Sequence, residues 1–231
     1  MKICSETLEV LRNFSLINSN ILVKPGSTLK TVATTKAVLA EATVPETFEQ
    51  EFGIYDLTTL LGVVSLFDSP DFDFQDIHLF LVQGNRSVRY FYANPALLTV
   101  PQKPLKMSPT PIEFTISATD FAEIVKAANV LELPDLLVTK SAESGKVDLI
   151  VTDLGKTGKD NTSNRCTITV DGETEKCKTA KYQFHMKTQN LKFLPGDYAV
   201  GIAERNVAQF KNKGRDVCYW VSLNESTTYE E

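Results

Sequence analysis

Ala93-Asn-Pro-Ala-Leu-Leu-Thr-Val-Pro-Gln-Lys-Pro-Leu-Lys-Met-Ser-Pro-Thr-Pro111 lies near the middle of the 231-residue chain and holds five of its ten prolines: Pro95, Pro101, Pro104, Pro109 and Pro111. Each proline removes a backbone donor and biases the residue before it toward extended geometry. Neither a helix nor a central strand is expected there, and the stretch reads as a stiff connector between two halves of similar size. The halves are residues 1–108, with the connector at 93–108, and residues 109–231. Leu97, Leu98, Val100 and Leu105 are more apolar than a solvated linker requires, so a surface is expected to cover them.

On either side of the connector the texture is the same. Ser5 is the expected N-cap of an amphipathic helix over Glu6 to Ile17, with Leu8, Leu11 and Phe14 at helical spacing and Arg12 on the polar side. Short runs rich in Thr and Val follow at Ile21 to Val23, Leu29 to Thr34, Val38 to Val44 and Phe48 to Ile54, and read as antiparallel strands. Asp56 caps a second helix over Leu57 to Leu66. An acidic loop at Asp68 to Asp76 then leads to strands at Ile77 to Val82 and Ser87 to Tyr92.

The second half repeats this order. A strand at Ile112 to Ser117 precedes a helix capped by Thr119 or Asp120 and running through Leu131, and strands follow at Leu136 to Thr139, Val147 to Thr152 and Cys166 to Val170. Tyr182 to Phe184 is expected to lead into a short helix over His185 to Phe193, and Pro195-Gly196-Asp197 turns the chain into strands at Tyr198 to Glu204, Val207 to Lys211 and Val217 to Leu223. A shift of 114 places Val10 on Ile124, Arg12 on Lys126 and Leu16 on Val130, while a shift of 130 places Phe52 on Tyr182, Ile54 on Phe184 and Leu61 on Leu191. The polar insertion at Gly155 to Asn164 absorbs the difference. The pattern predicts an internal duplication, two α+β domains each with helices packed on antiparallel sheets.

Composition excludes several classes. No apolar run approaches the roughly 20 residues of a membrane span, and the first residues run into an amphipathic pattern rather than a signal peptide. Cys4, Cys166, Cys177 and Cys218 form no Cys-x-x-Cys pair, which argues for a reduced cytosolic setting and against a zinc site. Gly155-Lys156-Thr157 lacks the earlier glycine of a phosphate-binding loop, since position 150 is Ile150. Asp68, Asp71, Asp73 and Asp76 lack the glycine and closing glutamate of a calcium loop. His78 and His185 have no Ser or Cys partner at a recognisable elbow and read as surface or capping residues. No catalytic constellation, cofactor site or metal site is expected.

What remains is cationic. Arg12 and Lys126 occupy equivalent helix positions, Lys2 precedes the first helix, and Lys187 and Lys192 belong to the expected short helix. These are either solvated helix faces or one surface offered to a polyanion, binding phosphates without reading sequence. A net charge of −5 requires an architecture that separates such a face from the acidic remainder.

Met1-Lys2, Leu11-Arg12-Asn13-Phe14 with Ile17-Asn18-Ser19, Ala40-Glu41-Ala42, Ile54-Tyr55-Asp56-Leu57, Leu61-Gly62, Ser65-Leu66, Pro104 and Pro195-Gly196-Asp197-Tyr198 form an ordered set along the chain. In this set the sequence resembles the DNA sliding clamps, the polymerase processivity factors, most closely those of T-even-type bacteriophages. The resemblance implies a homotrimeric ring of duplicated clamp domains that encircles double-stranded DNA in the cytoplasm of an infected bacterial cell. It implies no enzymatic activity and no membrane. The implied partners are the replicative DNA polymerase, an ATP-driven clamp loader and a late-transcription factor. Lys2, Arg12, Lys126, Lys187 and Lys192 would face DNA. Leu98, Val100, Leu105, Val207 and Leu223 would line a pocket for a partner's hydrophobic tail, and Tyr90, Phe91, Cys166 and Ile168 would lie at the subunit interface, where edge strands pair. The contrasting reading is a duplicated β-rich virion or adaptor protein with no DNA role, and the cations at equivalent helix positions speak against it.

Overall fold

The computed structural model describes residues 1–101, 109–155, 163–203 and 207–231. The chain divides into two compact units, Met1–Pro104 and Leu105–Glu231.

The first unit opens with α1 (Ser5–Ile17), which buries Thr7, Val10, Asn13 and Phe14 along one face. Its N-cap is Cys4 rather than Ser5. The reason is Glu46, whose carboxylate accepts from the Cys4 amide at 2.5 Å and from the Thr7 hydroxyl, placing an acceptor on donors at the helix start. Burial works against that charge, but the bonds from Thr7 and Cys4 together outweigh it and hold the Glu46 carboxyl below the usual range. The strands β1 (Ile21–Val23), β2 (Gly26–Val32), β3 (Val38–Phe48) and β4 (Phe52–Ile54) follow, β1 pairing with β4 and β2 with β3, all antiparallel. Asp56 caps α2 (Leu57–Val64), accepting from the Thr59 amide at 3.0 Å. The expected acidic loop is in part a strand, β5 (Asp71–Phe74), because Phe72 turns into the core while Asp71 and Asp73 stay exposed. It pairs with β6 (His78–Gln83), which pairs with β7 (Arg86–Phe91).

The start of the connector is fastened to this unit. A 3-10 turn at Pro95–Leu97 is capped by Asn94. The Asn18 amide nitrogen donates to the Thr99 carbonyl at 3.3 Å and to Val32 at 2.8 Å, and the Thr99 amide donates to Asn20 at 3.0 Å. Leu98 is buried, whereas Leu97 is 68% exposed, so the expected cover reaches only one of the neighbouring leucines. Leu98 fits because position 53 is glycine. A Cβ there would stand 2.6 Å from Leu98 Cδ1 and 2.9 Å from the Ala93 carbonyl oxygen.

In the second unit β8 (Ile112–Ile116) leads into α3 (Ala118–Val130), whose buried face is Phe121, Ile124 and Ala128. Ser117, not Thr119 or Asp120, is the N-cap. Its hydroxyl accepts from the Asp120 amide at 3.1 Å and donates to the Asp120 carboxylate at 2.7 Å. There follow β9 (Asp135–Lys140), β10 (Lys146–Thr152), β11 (Cys166–Asp171), the short α4 (Lys176–Thr179), β12 (Lys181–Lys187), β13 (Tyr198–Ile202), β14 (Val207–Asn212), β15 (Val217–Ser222) and β16 (Thr228–Glu230). One sheet runs β11-β10-β9-β12-β16, and in the other β15, β14, β13 and β8 are successive neighbours. Phe121, Phe193, Tyr198, Phe210 and Tyr219 fill the core, with Phe193 stacked on Tyr219 at 4.3 Å.

The expected helix over His185 to Phe193 does not form. Tyr182, Phe184 and Met186 keep a period of two, the strand runs on to Lys187, and only a 3-10 turn at Thr188–Asn190 follows. His185 is therefore not a surface residue. It is buried, with Nε2 on Asp135 Oδ1 at 2.7 Å and Nδ1 on the Ser226 hydroxyl at 2.6 Å. Lys187 Nζ donates to the same Asp135 oxygen at 2.5 Å, and the Leu154 amide donates to the other at 2.9 Å. Burial alone would raise the Asp135 carboxyl, but these bonds from Lys187, His185 and Leu154 prevail and hold it below its ordinary value.

Two outcomes follow from these contacts. Gly53→Ala is expected to dislodge Leu98 and cost about 1–3 kcal/mol in denaturant unfolding. For Asp135, a folded-state pKa below the unfolded one gives stability that is complete above the usual carboxylate range and is lost as pH falls through the folded value. Asp135→Asn should cost about 2 kcal/mol at pH 7, and the gap between wild type and variant should narrow as the pH falls below about 4. A gap independent of pH in chemical denaturation would contradict this account.

Candidate nucleic-acid and partner interfaces

Arg12 and Lys126 are both exposed, each in the second half of a 13-residue helix. The shift of 114 that joins them also carries the buried positions Thr7, Val10 and Phe14 of α1 onto the buried Phe121, Ile124 and Ala128 of α3. The two helices thus turn the same positions inward and outward. Each outward side is mixed in charge, because Glu9 accompanies Arg12 and Glu123 accompanies Lys126, all exposed. Lys2 is exposed just before α1.

Lys187 and Lys192 do not share a helix. Lys187 is half-buried at the end of β12, its ammonium held by Asp135, and Lys192 is exposed beyond the 3-10 turn. An ammonium bound at 2.5 Å to a buried carboxylate is less available to a phosphate than a solvated one.

Of the pocket candidates, Leu98 is buried beneath its own unit's surface and Val100 is half-buried. Leu105 lies outside the described residues. Val207 opens β14 opposite Ser222, and Leu223 follows directly, so both half-buried side chains stand at one end of the β14–β15 hairpin.

The interface candidates fall on sheet edges. β7 pairs only with β6, and β11 only with β10, among the described residues. On β7, Tyr90 turns inward and its hydroxyl donates to the Asp56 carbonyl at 3.0 Å, with burial raising its pKa. Phe91 is 57% exposed, and the Arg89 guanidinium lies 5.1 Å over its ring. On β11, Cys166, Ile168 and Val170 are half-buried and alternate with the exposed Thr167, Thr169 and Asp171. Arg89 was not singled out from sequence. Its signal is the register that sets Phe91 opposite His78, whose ring packs against both Phe80 and Phe91.

Among the described residues, no cluster of His, Cys, Asp or Glu is arranged to hold a metal, and no helix is long and apolar enough to cross a membrane.

The fold and the sequence both have known relatives. The family model described as DNA polymerase processivity factor matches residues 5–83. The sliding clamp of Vibrio phage KVP40 is 29% identical over 216 residues, covering 91% of this chain and 94% of that one. The sliding clamp of Enterobacteria phage T4 is 24% identical over 238 residues and covers all of both chains. Among solved structures, proliferating cellular nuclear antigen from Entamoeba histolytica superposes with a TM-score of 0.68 at 11% identity, over 94% of each chain. The DNA polymerase III β sliding clamp from Bartonella birtlesii gives 0.70 at 13% identity, over 97% of this chain and 67% of that one. The structural likenesses speak for the fold, two duplicated clamp domains, and over nearly its whole length the sequence is similar to the sliding clamps of T-even-type bacteriophages, with residues 5–83 matching the DNA polymerase processivity factor family.

Proposed function

We propose that the chain works as a homotrimeric ring around duplex DNA, tethering the replicative polymerase without itself catalysing any reaction. The observation that carries this reading is the shared inward and outward pattern of α1 and α3, which leaves Arg12 and Lys126 at matching exposed positions. In a ring whose helices line the hole, these side chains, Lys2 and Lys192 meet phosphates at no preferred register, and the ring slides. Lys187 is expected on the same face, but its pairing with Asp135 leaves little net charge for a phosphate. Glu9 and Glu123 share the helix faces with these cations, and the rest of the acidic excess, lying outside the hole, repels DNA that is not threaded.

On this reading the ring closes where β7 of one subunit, with Tyr90 and Phe91, pairs with β11 of the next, with Cys166 and Ile168. An ATP-driven loader opens it, so nucleotide hydrolysis belongs to that partner. Leu98, Val100, Leu105, Val207 and Leu223 form the apolar anchor points for a client's short tail. Clients are the polymerase and a late-transcription factor, in the cytoplasm of the infected bacterium.

Light scattering across a dilution series is expected to give a mass near three chains that falls on dilution. Ile168→Lys should shift that dissociation to at least tenfold higher concentration, and a monomer at high concentration would overturn the ring. Arg12→Glu combined with Lys126→Glu should leave the mass unchanged but reduce loader-dependent retention on primed circular DNA several-fold, most clearly at low salt. Unaltered retention would remove these side chains from the DNA surface.

A further inference from the structure

We infer that the edge of β12 is a docking site for an extended peptide carrying an aromatic residue followed by carboxylates, and that β16 is a displaceable strap occupying it. This inference is independent of the ring. β16 is three residues long and makes three register pairs, Lys181 with Glu230, Tyr182 with Tyr229 and Gln183 with Thr228. Without it β12 would be the sheet's edge, with backbone donors and acceptors open to an added strand.

The strap shows what chemistry the edge accepts. Tyr229 is its inward residue, and its ring lies 6.2 Å from Phe184, which stacks on Tyr182 at 5.5 Å. Thr228 and Glu230 on either side are exposed. Two lysines of the rim meet the strap's carboxylates: Lys181 stands opposite Glu230, and Lys176 bridges Glu231 at 2.8 Å, while Lys178 on α4 is held by Glu175 at 3.3 Å. Opposite charges across a strand pair favour the pairing, so one aromatic anchor and acidic flanks are selected together.

What holds the strap is a polar latch rather than a core. In the turn at 224–227, the Asn224 amide donates to the His185 carbonyl at 2.8 Å, the His185 amide donates to the Thr227 hydroxyl at 3.1 Å, and the Ser226 hydroxyl meets His185 Nδ1 at 2.6 Å. Ser226 and Glu225 are exposed. Water can replace each of these bonds when the turn opens, and the residues that opening withdraws, Asn224, Thr227 and Tyr229, are only half-buried. The linear Asp135–His185–Ser226 order resembles a nucleophile relay, but here the Asp135–His185 bond ties β9 to β12 and the His185–Ser226 bond fastens the turn to β12.

The test titrates the fluorescein-labelled octapeptide Asn-Glu-Ser-Thr-Thr-Tyr-Glu-Glu, the chain's own residues 224–231, into the full chain and into its Ser226→Ala/Tyr229→Ala variant. The variant, checked for wild-type circular dichroism, should bind at least tenfold tighter than wild type. Lys181→Glu in that background, or Tyr→Ala in the peptide, should abolish the gain. Equal binding by wild type and variant, or indifference to the peptide's tyrosine, overturns the inference. Hydrogen exchange of the unmodified chain gives a second reading. β16 amides should exchange at least a hundredfold faster than those of β9, and equal protection of the two strands overturns the strap.

Discussion

A strand at the edge of a sheet leaves alternate backbone donors and acceptors to water, and any copy that presents a second edge can take them. Among the described residues β7 and β11 are such edges, one in each unit. Neither contains proline; Phe91 on β7 is exposed, and on β11 the half-buried Cys166, Ile168 and Val170 alternate with the exposed Thr167, Thr169 and Asp171. Head-to-tail pairing of two different edges is heterologous, and such contacts either run on as a filament or close into a ring. The duplication supplies the two edges on one chain, and a ring of the proposed kind would pair both and remove the aggregation hazard that a lone subunit carries.

The same duplication governs electrostatics. A chain of net charge −5 holds a polyanion only if few cations are concentrated where it passes. The outward sides of α1 and α3 carry Glu9 and Glu123 beside Arg12 and Lys126. In the proposed ring such a mixed face would lower affinity for any one phosphate, which suits sliding more than holding, since tight contacts in fixed register would oppose translation.

Much of this was legible in the sequence, for physical reasons that also mark where it stopped. α1, α2 and α3 announce themselves by helical spacing, and Asp56 by its position just before Leu57. The caps at Cys4 and Ser117 were missed by one to three positions, because the deciding partner of Cys4 is Glu46, 42 residues away, and because Ser117 and Asp120 bond reciprocally. β5 was hidden among acids that point to solvent while Phe72 does the packing. The cation positions Arg12 and Lys126 were readable from the repeat. The fate of Lys187 was not, since Asp135 is distant in sequence and its burial is set by sheet order alone.

One divergence between the two units follows from a single residue type. Under the shift of 130, Phe52 and Ile54 of β4 correspond to Tyr182 and Phe184 of β12, all buried. The next inward position is Asp56 in the first unit and Met186 in the second. Aspartate stops the strand by offering its side chain to the Thr59 amide, and α2 begins. Methionine has no such bond to offer and is itself buried, so β12 continues to Lys187. That extension carries His185 and Lys187 alongside the start of β9, where Asp135 binds both. The helix lost from the second unit is thus exchanged for a buried carboxylate network, and through His185 that network reaches the turn that positions β16.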